Sequence, residues 1–341
     1  MNLHGFCVNQ RILTETSAFE LYYFNQYGVS FNDIKKIFED RSAWEWEMQV
    51  QFERSKNGKP QVELKTHRVW VTDPQNPREM LDYLGDLNVM HRMIQTNKIL
   101  QEGNHYWEHI FWVNDRKLLP KTVKWLEDNG FIIRELNQLT MDAFVLKRIN
   151  ILIEDGQLVQ SADVARNLIL AQEGGMYIDT DISIEQWDNE ILYASDFIVA
   201  QEGFGPHDIC LFNNDLLIAR KNHPAIIETL NIYKQQFLED AKTLNTSLLQ
   251  NHRCFQDVRA IVPFQVGMYL QVTAIARTWD QMKDSVIFLR KKNPIKENVN
   301  PTYTISYKDG SEKQVTIIAN SMDYGHWRDN YYDVLDFGFV Q

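Results

Sequence analysis

Ser161-Ala162-Asp163-Val164-Ala165-Arg166-Asn167-Leu168-Ile169-Leu170-Ala171-Gln172-Glu173-Gly174-Gly175-Met176-Tyr177-Ile178-Asp179-Thr180-Asp181-Ile182 decides how this chain of 341 residues is read. Ser161 is a helix-capping residue type, and Ala165, Leu168, Ile169 and Gln172 then share one helical flank. Asp163 and Arg166, three residues apart, meet on another flank. Gly174-Gly175 stops the helix. The chain then becomes strand-like, and a period of two sets Tyr177, Asp179 and Asp181 on one side, with Ile178, Thr180 and Ile182 on the other.

Two carboxylates on one face at a strand end repel unless a cation, a proton or a basic side chain neutralises them. Oxygen ligands suit Mn²⁺ or Mg²⁺, and a site with few protein ligands leaves coordination positions for phosphate oxygens. Asp179 and Asp181 are therefore the expected metal ligands. A cation there would stabilise the charge growing on a departing nucleoside diphosphate. Asp-x-Asp alone is a frequent chance pattern. A helix with Asp163 and Arg166, then a glycine pair, then the aspartates is a specific one.

Upstream, Val62–Val71 is rich in β-formers and stops at Thr72-Asp73-Pro74. A helical stretch follows over Met80–Leu100, then a strand over Glu108–Val113, a helix through Val123–Leu126 closed by Asn129-Gly130, and a strand over Phe131–Arg134. This alternation predicts an α/β fold, a mainly parallel central sheet flanked by helices, with its ligand site at the C-terminal ends of the strands. Residues 1–60 are expected to form a helical N-terminal extension and 61–341 the catalytic core. Downstream, helices are expected over Ala225–Gln250 and Gly267–Arg277, and a hairpin around Lys308-Asp309-Gly310-Ser311.

Composition narrows the function classes. No apolar run reaches membrane-spanning length, and Met1–Ser17 lacks a basic-then-apolar pattern, so a soluble protein without a cleaved leader or transmembrane segment is expected. A net charge of −11 without a long basic run argues against nucleic acid as a partner. Cys7, Cys210 and Cys254 are odd in number and lack metal-ligand spacing, which fits reduced thiols.

At these residues the chain resembles the bacterial toxin and effector glycosyltransferases. They include the glucosylating domain of the large clostridial toxins and the sugar-binding-region proteins with a DxD motif. The resemblance spans roughly residues 62 to 335 and is strongest over 161–182. It implies a GT-A fold and retaining transfer of a hexose, glucose or N-acetylglucosamine, from a UDP-sugar to a protein, with a host GTPase as one acceptor. His67-Arg68-Val69-Trp70-Val71 is similar to the first core strand. Trp70 is then the residue that stacks on the base, a use the indole face suits, with Val69 and Ile178 among the donor contacts. Trp112, in the second strand, is assigned to core packing.

By the same resemblance, Asp163 contacts the sugar hydroxyls, Arg166 the sugar or diphosphate, and Tyr177 the nucleotide. Phe212-Asn213-Asn214-Asp215 resembles the segment whose asparagine lies near the reaction centre, with Asn213 the first choice and Asn214 the reserve. The tail Ser321-Met322-Asp323-Tyr324-Gly325-His326-Trp327-Arg328-Asp329-Asn330 resembles a loop that closes over the diphosphate. Gly325 stands where the clostridial toxins have serine, so His326, Trp327 and Asn330 are the candidate contacts, with Asn330 a candidate third metal ligand. The family implies delivery into a host cell's cytosol. A bacterial cytoplasmic enzyme of surface polysaccharide synthesis is the alternative. A haloacid-dehalogenase-like phosphatase also competes through Asp179-Thr180-Asp181-Ile182-Ser183, but no partner lysine or downstream acidic loop supports it.

Overall fold

The computed structural model describes residues 23–40, 47–52, 58–84, 87–103, 105–204, 210–245, 266–290 and 302–321. Helix α1 (Phe31–Asp40) and strand β1 (Glu47–Phe52) are followed by β2 (Lys65–Trp70), α2 (Met80–Leu84), α3 (Leu87–Leu100), β3 (Glu108–Val113), α4 (Pro120–Asp128) and β4 (Ile132–Glu135). Next come α5 (Ala143–Glu154), α6 (Leu158–Glu173), β5 (Gly175–Ile178), β6 (Ile182–Gln186), α7 (Ile191–Ala194), β7 (Phe197–Phe204) and β8 (Cys210–Ala219). The remainder is α8 (Pro224–Gln235), α9 (Met268–Met282), β9 (Val286–Arg290), β10 (Thr302–Tyr307), β11 (Glu312–Thr316) and β12 (Ile318–Ser321).

Seven strands form the central sheet in the order β4-β3-β2-β5-β8-β7-β9. The β4–β3, β3–β2, β2–β5 and β7–β9 pairings are parallel, and β8 runs antiparallel to both its neighbours. The expected mainly parallel α/β sheet is therefore what folds. Both faces are covered, which is why Ile110, Phe111, Trp112 and Val113 of β3 are all buried without alternation. One face packs Val69, Ile110, Trp112 and Tyr177 against α5, α6, α8 and α9. On the other, Met90 and Met93 of α3 and Val123 and Leu126 of α4 cover Phe111 and Val113.

Several local expectations need correction. Glu47–Phe52, read within a helical extension, is a strand that pairs in parallel with β10. Its Met48, Val50 and Phe52 alternate with polar residues, a period of two. Within Met80–Leu100 the helices run over Met80–Leu84 and Leu87–Leu100, and the two residues between them lie outside the described residues. Helix α8 ends at Gln235, and the chain then turns at Asp240, whose carboxylate accepts from the Lys242 and Thr243 amides. The hairpin around Asp309-Gly310 forms as expected, from β10 and β11.

Two corrections fall in the deciding stretch. Ser161 does not cap: α6 starts at Leu158, and the Ser161 hydroxyl donates to the Leu158 carbonyl inside the first turn. Asp181 does not continue the strand face. β5 ends at Ile178, and residues 179–181 form a turn closed by the Ile182 amide donating to the Asp179 carbonyl at 3.1 Å. Asp-Thr-Asp is turn chemistry, and a one-residue approach to the sheet end lets it prevail.

Candidate active site

Helix α6 and strand β5 form a reversal whose two arms match in length. From Arg166 to Gly174 the helix rises about 12 Å, and from Gly175 to Asp179 the strand returns about 13 Å. Asp179 therefore arrives beside Arg166. Arg166 Nη2 lies 2.6 Å from Asp163 Oδ1 and 3.2 Å from Asp179 Oδ1. Its Nη1 donates to the Asn214 carbonyl at 2.5 Å, and its guanidinium carbon stands 4.6 Å from the Tyr177 ring centroid. The Tyr177 hydroxyl donates to Asp179 Oδ1 at 2.7 Å. Asn214 Nδ2 donates to Asp163 Oδ1 at 3.2 Å and to the Val266 carbonyl at 3.4 Å. The Asp179 amide donates to the Asp215 carbonyl at 2.8 Å, which fastens the end of β5 to β8.

The charges are buried to different depths. The Arg166 and Asp163 side chains are 5% and 12% exposed, that of Asp179 28%. Burial pushes the Asp163 carboxyl up to about 6, with Arg166 pulling it down and Asp179 pushing it up. Burial works against the charge on Arg166, yet Asp179, Tyr177, Asp163 and Asp215 together hold its pKa above the ordinary arginine value. Burial also raises the Tyr177 phenol well above its usual range, so it is a neutral donor.

One guanidinium thus faces several carboxylates, and the negative surplus opens toward solvent at Asp179. Among the described residues, the hydrogen bond and ion pair on Asp179 both fall on Oδ1. This leaves Oδ2 for a cation. The hard carboxylate oxygens of Asp179 and Asp181 fit Mg²⁺ or Mn²⁺. Among the described residues no group of three or more His, Cys, Asp or Glu side chains is placed to hold a metal, so such an ion would draw its other ligands from the substrate, water or other donor types.

The sequence-predicted residues divide accordingly. Asp163, Arg166, Tyr177, Asp179 and Asn214 come together, and Asp181 follows in the turn. Asn213 accepts from the Asp215 amide at 3.2 Å through its side-chain oxygen, and it is the reserve asparagine, Asn214, whose side chain bonds to Asp163. Trp70 closes β2 at the ligand end, its indole N–H donating to the Arg78 carbonyl and its ring 5.5 Å from that of Tyr83. Val69 and Ile178 are buried on opposite faces of the sheet. Trp112 is fully buried in the core. His326, Trp327 and Asn330 lie outside the described residues. The strand that leads to them, β12, pairs antiparallel with β6 so that Ser321 stands opposite Ile182, one residue past Asp181. The backbone carbonyls of Asn214, Asp215 and Val266 are site members that sequence reading missed, since a carbonyl carries no residue-type signal.

No curated protein matches the sequence. Similar solved structures include the PaToxG glycosyltransferase, at 16% identity over 64% of this chain and 70% of that one, with a TM-score of 0.46. The UDP-bound glycosyltransferase domain from the YGT toxin is 12% identical over 67% of this chain and 79% of its own, with a TM-score of 0.42. The catalytic domain of alpha-toxin from Clostridium novyi is 9% identical over 83% and 85%, with a TM-score of 0.41. Residues 90–198, which hold Asp163, Arg166, Tyr177 and the aspartate pair, match the family model of the glycosyltransferase sugar-binding region containing a DXD motif.

Proposed function

We propose that the chain is a retaining hexosyltransferase that takes glucose or N-acetylglucosamine from a UDP-sugar and delivers it to a protein acceptor. The carrying observation is Arg166, which ties Asp163 of the helix to Asp179 of the DXD motif inside the family-matched segment. The Asp163 carboxylate accepts hydrogen bonds from sugar hydroxyls, held in place by Arg166 and Asn214. Arg166 orients Asp179 and adds positive charge where a diphosphate departs. Tyr177 holds Asp179 Oδ1, which leaves the acid's other oxygen for the cation. Bound at Asp179 and Asp181, Mn²⁺ or Mg²⁺ supplies charge that stabilises the leaving diphosphate. Trp70 offers the base a stacking face, and His326, Trp327 and Asn330 complete the diphosphate contacts. Action as an effector in a host cell, on a protein such as a GTPase, rests on family analogy.

The test is nucleoside diphosphate release from a panel of UDP- and GDP-sugars, with Mn²⁺, with EDTA, and for Asp181→Ala. One donor is cleaved with metal, and the variant loses at least about a hundredfold in rate. A folded sample that cleaves no donor but hydrolyses simple phosphate esters overturns the transferase reading in favour of a phosphatase.

A further inference from the structure

His67 sits in the middle of β2, fully buried, and uses both ring nitrogens. The indole N–H of Trp112, which can only donate, lies 3.1 Å from His67 Nδ1. Nδ1 is therefore the acceptor, and the ring proton is on Nε2. Nε2 lies 2.8 Å from the Gly174 carbonyl and donates to it. Burial lowers the ring's pKa to about 4, which keeps this single neutral tautomer in place at neutral pH.

Gly174 is the reversal point between α6 and β5. It and Gly175 have φ of +65° and +102°, a region that favours glycine. A Cβ on Gly175 would stand 2.6 Å from the Lys65 carbonyl oxygen and 3.1 Å from His67 Nε2. The reversal is thus packed directly on the imidazole. The β2–β5 ladder itself is short, with Thr66 opposite Met176 and His67 opposite Tyr177. A slip of one residue in β5 would move Asp179 by about 3.3 Å and turn Tyr177 to the other face. Either change breaks the Arg166–Asp179 contact.

We propose that His67 is a positioning residue of the donor site: its bond to Gly174 fixes the reversal between α6 and β5, and with it the register that sets Asp179 against Arg166. The functional half of this inference rests on the donor-site reading above. The structural half does not.

Two isosteres separate the ring's two bonds. His67→Gln places an amide nitrogen near the position of Nε2 and keeps a donor for Gly174. His67→Asn places its oxygen near Nδ1, keeps an acceptor for Trp112, and cannot reach Gly174. Amide hydrogen exchange over residues 174–182 of metal-free protein is followed in both variants, together with the KM for the UDP-sugar that the donor panel identifies. In His67→Asn, exchange over 174–182 is expected to rise about tenfold, the effect of one lost hydrogen bond, while β3, β4 and β7 keep wild-type rates. KM rises about tenfold with kcat within about threefold. His67→Gln stays within about twofold of wild type in both measurements. Equal exchange in the two variants, faster exchange spread over the whole sheet, or a local change that leaves KM unmoved would each overturn the proposal. If the wild type releases no nucleoside diphosphate from any donor, the donor-site reading fails, and the exchange comparison still decides whether His67 holds the reversal.

Discussion

At the C-terminal end of α6, Glu173 stands between two cations; about two turns earlier on the same helix, Arg166 stands among carboxylates. Glu173 Oε2 is 2.9 Å from Lys65 Nζ and 3.0 Å from Arg134 Nη1, and its side chain is 15% exposed. Burial opposes its charge, but hydrogen bonds from Lys65 and Gln172 and the charges of Lys65 and Arg134 lower its pKa to about 2. Asp163, with one cation and other acids nearby, goes the opposite way, up to about 6. At Glu173 the helix is charge-matched within the chain, whereas around Arg166 the carboxylates outnumber the cation. Under the proposed function, one helix thus carries a charge pair that serves stability at Glu173 and one that serves binding at Arg166.

Removing Arg166 should break the comparison most severely. Arg166→Met strands Asp163 and Asp179 without their cation, and a loss of about 3–5 kcal/mol in urea unfolding is expected. Added Mn²⁺ should return part of it. A loss under about 1 kcal/mol would mean that the carboxylates do not depend on the guanidinium.

Glu173→Gln should cost about 2 kcal/mol at pH 7. Because the folded-state pKa lies below the ordinary carboxylate value, the stabilisation is full above about 4.5 and is lost as pH falls through about 2. Wild-type and variant unfolding midpoints should therefore converge on acidification, and a gap that persists to pH 2 would point to packing instead of charge.

The smallest effect has the reverse sign. Asp163 binds its proton more tightly when folded, so its contribution is favourable below its ordinary pKa of 3.8 and is lost as pH rises through about 6. Asp163→Asn should therefore gain about 1 kcal/mol over wild type at pH 7.5 and nothing at pH 4, while losing donor affinity. Thermal melts at the two pH values check this. A variant less stable at pH 7.5 would show that Arg166 needs Asp163 more than burial disfavours it.

Much of this was readable along the chain because it is local. The β2 to β4 alternation rests on hydrophobic period and turn residues, and the Asp163–Arg166 pair rests on helical spacing alone. The sequence could not choose between Asn213 and Asn214. Adjacent residues on a strand face opposite sides, and only the packing of β8 against α6 says which side meets Asp163. The turn at Asp181 was missed because alternation was carried one step past the sheet. The strands β1 and β12 find partners far away in sequence, and no local pattern reports that.

The pairing of β1 with β10 also sets an order of events. Glu47 and Thr302 are 255 residues apart, so closing that loop costs about 5 kcal/mol of chain entropy, against about 2 kcal/mol for the β10–β11 hairpin. During synthesis, β1 emerges roughly ten to fifty seconds before its partner. Through that interval its edge is open to other chains. The small sheet is therefore the step of assembly that chaperones would have to guard.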